Sequence, residues 1–178
     1  MNPVGRVTAL LVALLMAACA AVPQAPIAGV TLSGRLALHV DGVDGGAARS
    51  MSAAFELQGD PLAGHLNLST PLGNVVAQAR WAPGSVVLIT PKGEKTFADL
   101  NALTYEVLGE SLPVAALFDW LQGRPWPGAA SVATVAPVAP GFEQLGWVIS
   151  LARFDDGLIA AQRANPPVVT LRAKLDQP

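Results

Sequence analysis

From Thr31 to Ala98 apolar residues recur at every second position, and that alternation narrows the folds open to this chain more than any other feature. A period of two is the mark of a half-buried strand. In 31–40, Leu32, Gly34, Leu36, Leu38 and Val40 share one face, while Ser33, Arg35, Ala37 and His39 share the other. In 50–58, Met51, Ala53, Phe55 and Leu57 alternate with Ser52, Ala54, Glu56 and Gln58. Leu66 and Leu68 alternate with polar residues in 65–69, and Val75, Ala77, Ala79 and Trp81 share a face in 74–81. Residues 85–90 are apolar on both faces, and Pro91-Lys92-Gly93 turns them into 96–98. Asp41-Gly42, Asp44-Gly45-Gly46 and Gly59-Asp60-Pro61 supply turn chemistry between these runs. Consecutive strands joined in this way form an antiparallel meander, which prefers a sandwich or a barrel.

The period then lengthens to that of a helix. Asp99 is a candidate N-cap, Leu100, Leu103, Val107 and Leu108 fall on one stripe, and Gly109 can close the segment. A second helix is predicted from Pro113, whose missing N–H is harmless in a first turn. Its stripe is Val114, Leu117, Phe118 and Leu121, and Gly123 ends it. Residues 124–140 are expected to be a loop rich in Pro, Ala and Val. Strands resume at 146–154, with Trp147, Ile149 and Leu151 on one face, and turn at Asp156-Gly157. Residues 158–163 and 168–175 form a last hairpin across Asn165-Pro166-Pro167. One domain over 31–178 is expected.

The N-terminus reads as an export signal. Arg6 precedes the apolar stretch Val7 to Met16, which is too short to span a bilayer. The only cysteine, Cys19, follows the small residues Ala17 and Ala18. Met16-Ala17-Ala18-Cys19 resembles the lipobox of bacterial lipoproteins, although leucine is usual where Met16 stands. The resemblance implies a signal peptide over 1–18, cleavage before Cys19, and lipid on its thiol. An ordinary signal with a chance cysteine is the alternative. Residues 19–30, with Pro23 and Pro26, have little to bury and read as a lipidated tether. Ala20 and Ala21 follow the cysteine; in this class the absence of aspartate there implies the outer membrane.

Without Arg6 the mature chain carries ten basic residues against thirteen acidic ones. There is no basic stripe, so nucleic acid is not an expected partner. Only 13% of residues are charged and 52% are apolar, which suggests an interior larger than a minimal core. His39 and His65 lie on polar strand faces, and no Gly-x-Ser-x-Gly elbow or His-x-x-x-His pair is present. Gly34, Gly93 and Gly109 form no phosphate loop. Neither a catalytic group, a metal nor a cofactor is expected.

Four motifs hold their order and spacing over most of 31–175. They are Ser33-Gly34-Arg35-Leu36-Ala37; Ser69-Thr70-Pro71-Leu72-Gly73; Leu108-Gly109 through Leu112-Pro113-Val114, Leu117 and Trp120-Leu121-Gln122-Gly123-Arg124-Pro125; and Gly146-Trp147. Together they resemble the family of the outer-membrane lipoprotein receptor LolB. The resemblance implies a mainly β fold with helices, an incomplete antiparallel barrel of about eleven strands enclosing an apolar cavity covered by helices. It implies a monomer at the periplasmic face of the outer membrane that receives lipoproteins from the periplasmic carrier LolA. Their acyl chains would enter the cavity, and the cargo would then be inserted into the inner leaflet. Leu36, Leu38, Phe55, Leu66, Leu68, Trp81, Leu103, Leu117, Trp120, Leu121 and Trp147 are the expected cavity lining; for each residue alone, plain core is the alternative. Pro71, Leu72 and Gly73 are the expected insertion loop, with Leu72 projecting or else folded back over the barrel end. A structural or assembly lipoprotein with a polar interaction face is the competing function. Two departures from the family pattern are the short final segment 158–178, which lacks a tryptophan, and the Ala/Val/Pro-rich stretch 129–140.

Overall fold

The structure is a computed structural model and describes residues 29–42 and 46–176. The expected signal peptide and Cys19 lie outside the described residues. Within them the chain forms eleven strands and two α-helices: β1 (Val30–Val40), β2 (Arg49–Gly59), β3 (Gly64–Ser69), β4 (Val75–Ala82), β5 (Ser85–Thr90), β6 (Gly93–Phe97), α1 (Leu100–Leu108), α2 (Val114–Trp120), β7 (Ser131–Ala133), β8 (Gly141–Gln144), β9 (Trp147–Arg153), β10 (Leu158–Arg163) and β11 (Val169–Leu175). All pair antiparallel in one sheet of order β6-β5-β4-β3-β2-β1-β11-β10-β9-β8-β7. β6 and β7 are left as unpaired edges, so the barrel is not closed by hydrogen bonds.

β1 is the centre of the sheet because it pairs along its length with β2 and along its second half with β11. The β11 contact requires Gly34: a Cβ there would lie 2.1 Å from the Lys174 carbonyl oxygen. The register also sorts the connections. Turn 60–63, turn 83–84, segment 154–157 and loop 134–140 gather at the end where Val30 lies. The 40–49 connection and turns 70–74, 91–92, 145–146 and 164–168 gather at the Val40 end.

The helices cross one face of the sheet. The Asp99 carboxylate accepts from the Ala102 N–H at 2.7 Å and caps α1. Gly109, at φ 79°, closes it by donating to the Tyr105 carbonyl. Pro113 stands just before α2 rather than in its first turn. The Lys95 ammonium meets the Glu106 carboxylate at 2.5 Å and ties α1 to edge strand β6. Between the helices, Glu110 meets Arg163 of β10 at 2.8 Å; both side chains are four-fifths buried, and the guanidinium stacks over Trp147.

Three elements depart from the sequence expectation. β6 begins at Gly93 through its pairing with β5, ahead of the expected 96; Gly93 to Lys95 are exposed and show no alternation that would mark them. β7 arises inside the expected loop; Ser131, Val132 and Ala133 are all exposed, so no buried face marked them. The strand expected at 146–154 is preceded by β8, and the two are joined by Leu145 and Gly146, both with positive φ (53° and 76°). That is the two-residue hairpin geometry, usually filled by Asn-Gly.

Candidate functional site

The interior is unevenly filled. Under α2, Phe142, Trp147, Ile149, Ile159, Ala161 and Val169 pack with Ala116 and Trp120, none more than 4% exposed. Dense packing of this kind leaves no room for a guest. Toward β1–β5 the inward positions of β4 and β11 carry small side chains, Ala77, Ala79 and Ala173, and the space they leave stays open. The result is an apolar hollow of about 300 Å³ between the sheet and the helices.

Its walls are hydrocarbon. β1 contributes Leu36 and Leu38, β2 Met51, Phe55 and Leu57, β3 Leu66 and Leu68, and β5 Leu88. α1 contributes Leu103, Val107 and Leu108; Leu112, Val114, Leu117, Phe118 and Leu121 come from the second helical segment and its approach. Val107 is 44% exposed and marks the solvent side of the hollow. Two hydroxyls reach the wall, and both are already committed. Thr104 Oγ1 donates to the Asn101 carbonyl at 3.0 Å and accepts from the Leu112 N–H at 3.0 Å. Thr90 Oγ1 donates to the Gly93 carbonyl at 3.3 Å. The hollow can therefore solvate methylene groups and has no free side-chain partner for a polar one.

Eight of the eleven expected lining residues come together here: Leu36, Leu38, Phe55, Leu66, Leu68, Leu103, Leu117 and Leu121. The three tryptophans do not, for reasons of size and hydrogen bonding. Trp81 lies edge-on to Phe118, its indole N–H donating to the Asp60 carbonyl at 2.8 Å. Trp120 and Trp147 pack on one another at 5.9 Å in the filled half. The Trp120 indole N–H donates to Gln144 Oε1 at 2.7 Å. Gln144 is 2% exposed and fully used: its Oε1 also accepts from the Trp126 N–H, and its Nε2 donates to the carbonyls of Trp126 and Ala129. That amide pins α2 and the following loop to β8. Sequence reasoning missed it, because a glutamine beside a turn looks like surface.

Leu72 is 89% exposed. Its turn is closed by the Gly73 N–H donating to the Thr70 carbonyl at 2.9 Å and braced by the Asn74 N–H on Thr70 Oγ1 at 3.2 Å. Pro71 and Gly73 are exposed with it, so the leucine stands out from the Val40 end rather than folding back. A register shift in the β3–β4 pairing leaves Val75 and Val76 exposed beside it, at 51% and 40%.

His39 shares a hydrogen bond with Ser50 at 2.6 Å and meets Asp41 at 2.9 Å. This Asp–His–Ser line lies half exposed on the outer face of the sheet, away from the hollow. A nucleophile there would stay hydrated, unlike the desolvated sites that make such a line reactive. Among the described residues no group of three His, Cys, Asp or Glu is placed to hold a metal, and no helix is long and apolar enough to cross a membrane.

The chain matches the family profile described as "Outer membrane lipoprotein LolB" over residues 30–176. It is similar to the "Outer-membrane lipoprotein LolB" of Bordetella petrii, 35% identical, covering 92% of this chain and 88% of that one. The protein of the same description from Bordetella pertussis is 34% identical, over 89% and 85% of the two chains. That of Chromobacterium violaceum is 32% identical, over 85% and 84%.

Proposed function

The chain belongs to the LolB family of outer-membrane lipoproteins, and from that membership we propose that it receives other lipoproteins by their acyl chains and passes them into the outer membrane. The observation that carries the proposal is the hollow, apolar on every side and with its two wall hydroxyls satisfied internally. Each methylene moved out of water contributes about 0.8 kcal/mol, so acyl chains are held by area without a catalytic or charged group. A polar docking face alone, as in a structural or assembly lipoprotein, would have no use for a hollow of this kind.

Cargo would arrive from the soluble periplasmic carrier LolA. No nucleotide or metal drives the step in this scheme, so direction comes from a difference in affinity; about 1.4 kcal/mol biases the exchange tenfold. In this reading Leu72, exposed at the far end of the sheet from Val30, meets the bilayer when cargo leaves. Lipid on Cys19 holds the protein at the periplasmic face, with the tether expected over 19–30 running into β1 at Val30.

Two expected results test this. A fluorescent fatty-acyl probe binds the mature chain saturably, and Leu117→Glu weakens binding at least tenfold, because a carboxylate in a hydrocarbon wall must be neutralised or hydrated. Absence of saturable binding by the unaltered chain removes the basis of the proposal. Cys19→Ala is expected to release the protein from membranes with its melting temperature unchanged, since Cys19 lies well before the first strand. Membrane association that survives high-salt washing would mean that something other than this lipid anchors the chain.

A further inference from the structure

Loop 134–140 is built as a rigid apolar tip. The Thr134 N–H donates to the Gly141 carbonyl at 3.0 Å, Thr134 Oγ1 to the Ala139 carbonyl at 2.7 Å, and the Val138 N–H to the Val135 carbonyl at 3.0 Å. These three bonds hold the loop across its own width, while Val135 and Val138 stay 75% and 54% exposed. Beside them Val132 of β7 is 67% exposed. Residues 129–140 contain no charged side chain, so no charge has to be taken out of water there. Leu62, 73% exposed, stands on turn 60–63 at the same end of the sheet.

We propose that this end is a second bilayer-docking surface, separate from the Leu72 turn, on which the domain rests between deliveries. The inference depends on the lipid anchor at Cys19 proposed above. The place where the tether enters selects a bilayer as the partner. β1 begins at this end, so the eleven steps from Cys19 to Val30, at most about 36–40 Å when fully stretched, lead directly to it. The Leu72 end lies a further strand length away, about 33–36 Å for the eleven residues of β1. The Val135 end is therefore the end nearer the anchor, and bringing the Leu72 end to the bilayer for delivery uses most of the tether's reach. The hairpin tip is already ordered, so contact costs little conformational entropy.

Cys19 is the only cysteine, and lipid occupies its thiol in the mature protein, so Val135→Cys supplies a unique reactive site. The lipidated full-length protein labelled there with an environment-sensitive dye is reconstituted into phosphatidylethanolamine/phosphatidylcholine vesicles containing a doxyl-lipid quencher. A second preparation is labelled at Gln162→Cys, exposed on the outer face toward the Val40 end of β10. The Val135 label is expected to be blue-shifted and quenched at least twofold more than the Gln162 label. Adding Val138→Lys should return it to the Gln162 level without changing the melting temperature. Equal quenching at both positions while the protein floats with the vesicles overturns the docking surface and leaves the anchor intact. A blue shift that appears only with added carrier, or only at high protein density, assigns the tip to a protein partner and also overturns it. Failure of the labelled protein to float with vesicles overturns the anchor and this inference together.

Discussion

Gln144→Leu is expected to lower the melting temperature by about 4–24 °C. The substitution roughly keeps the volume but removes the amide, and so strands four groups: the Trp120 indole N–H, the Trp126 N–H, and the carbonyls of Trp126 and Ala129. Each unsatisfied buried group costs about 1–3 kcal/mol. If two remain dry after local adjustment, the loss is about 2–6 kcal/mol, a large share of the 5–15 kcal/mol that holds a typical domain together. For a chain of this length about 1 kcal/mol moves the midpoint by roughly 2–4 °C. Trp120→Phe removes one donor and leaves the amide bonded to the Trp126 loop, so it should cost less than Gln144→Leu. A midpoint within about 2 °C of the unaltered protein for Gln144→Leu would show that water replaces the amide and that the pin is not structural.

The second large effect is on delivery. Leu72→Glu should leave folding and cargo acceptance near the unaltered level, because an 89% exposed side chain has little packing to lose. Insertion of cargo into liposomes should slow by about tenfold to a hundredfold. Burying a leucine contributes about 1.5–3 kcal/mol, and a carboxylate in its place forfeits that gain. The measurement is transfer of a labelled lipoprotein from the chain to liposomes, scored beside acyl-probe binding. Acceptance falling together with insertion, or a clear drop in melting temperature, would show that Leu72 supports the domain instead of probing the membrane.

Where one strand face met the interior and the other met water, alternation in the sequence was enough to find the strand. β1 to β4 show this, and so does α1, whose N-cap Asp99 and C-terminal Gly109 were both readable. The signal fails where both faces are alike. β7 is exposed throughout, and its valines look the same as those of a loop. The hollow was legible as a stripe of leucines, but not its boundary. Trp120 and Leu121 are neighbours in sequence; one packs into the filled half and the other lines the open one. Periodicity says which side chains leave water, and cannot say whether neighbouring elements then meet. The informative signal was alanine: Ala77 and Ala79 at inward positions of β4 are too small to close the gap. Gln144 was hidden for the opposite reason, since its burial depends on two tryptophans brought to it by the fold.

The unpaired edges β6 and β7 have a mechanical consequence. A barrel closed by its own ladder has a circumference set by strand number and stagger, and can widen only by breaking backbone hydrogen bonds. Here side-chain contacts bridge the gap. Lys95–Glu106 fastens α1 to β6, Arg163–Glu110 fastens the inter-helix link to β10, and Gln144 fastens α2 to β8. The helix pair is thus tied by side chains to both flanks of an unclosed sheet. Its spacing from the sheet can change by exchanging these few side-chain contacts, with every rung of the ladder intact, and under the proposed function that lets guests of different bulk be fitted.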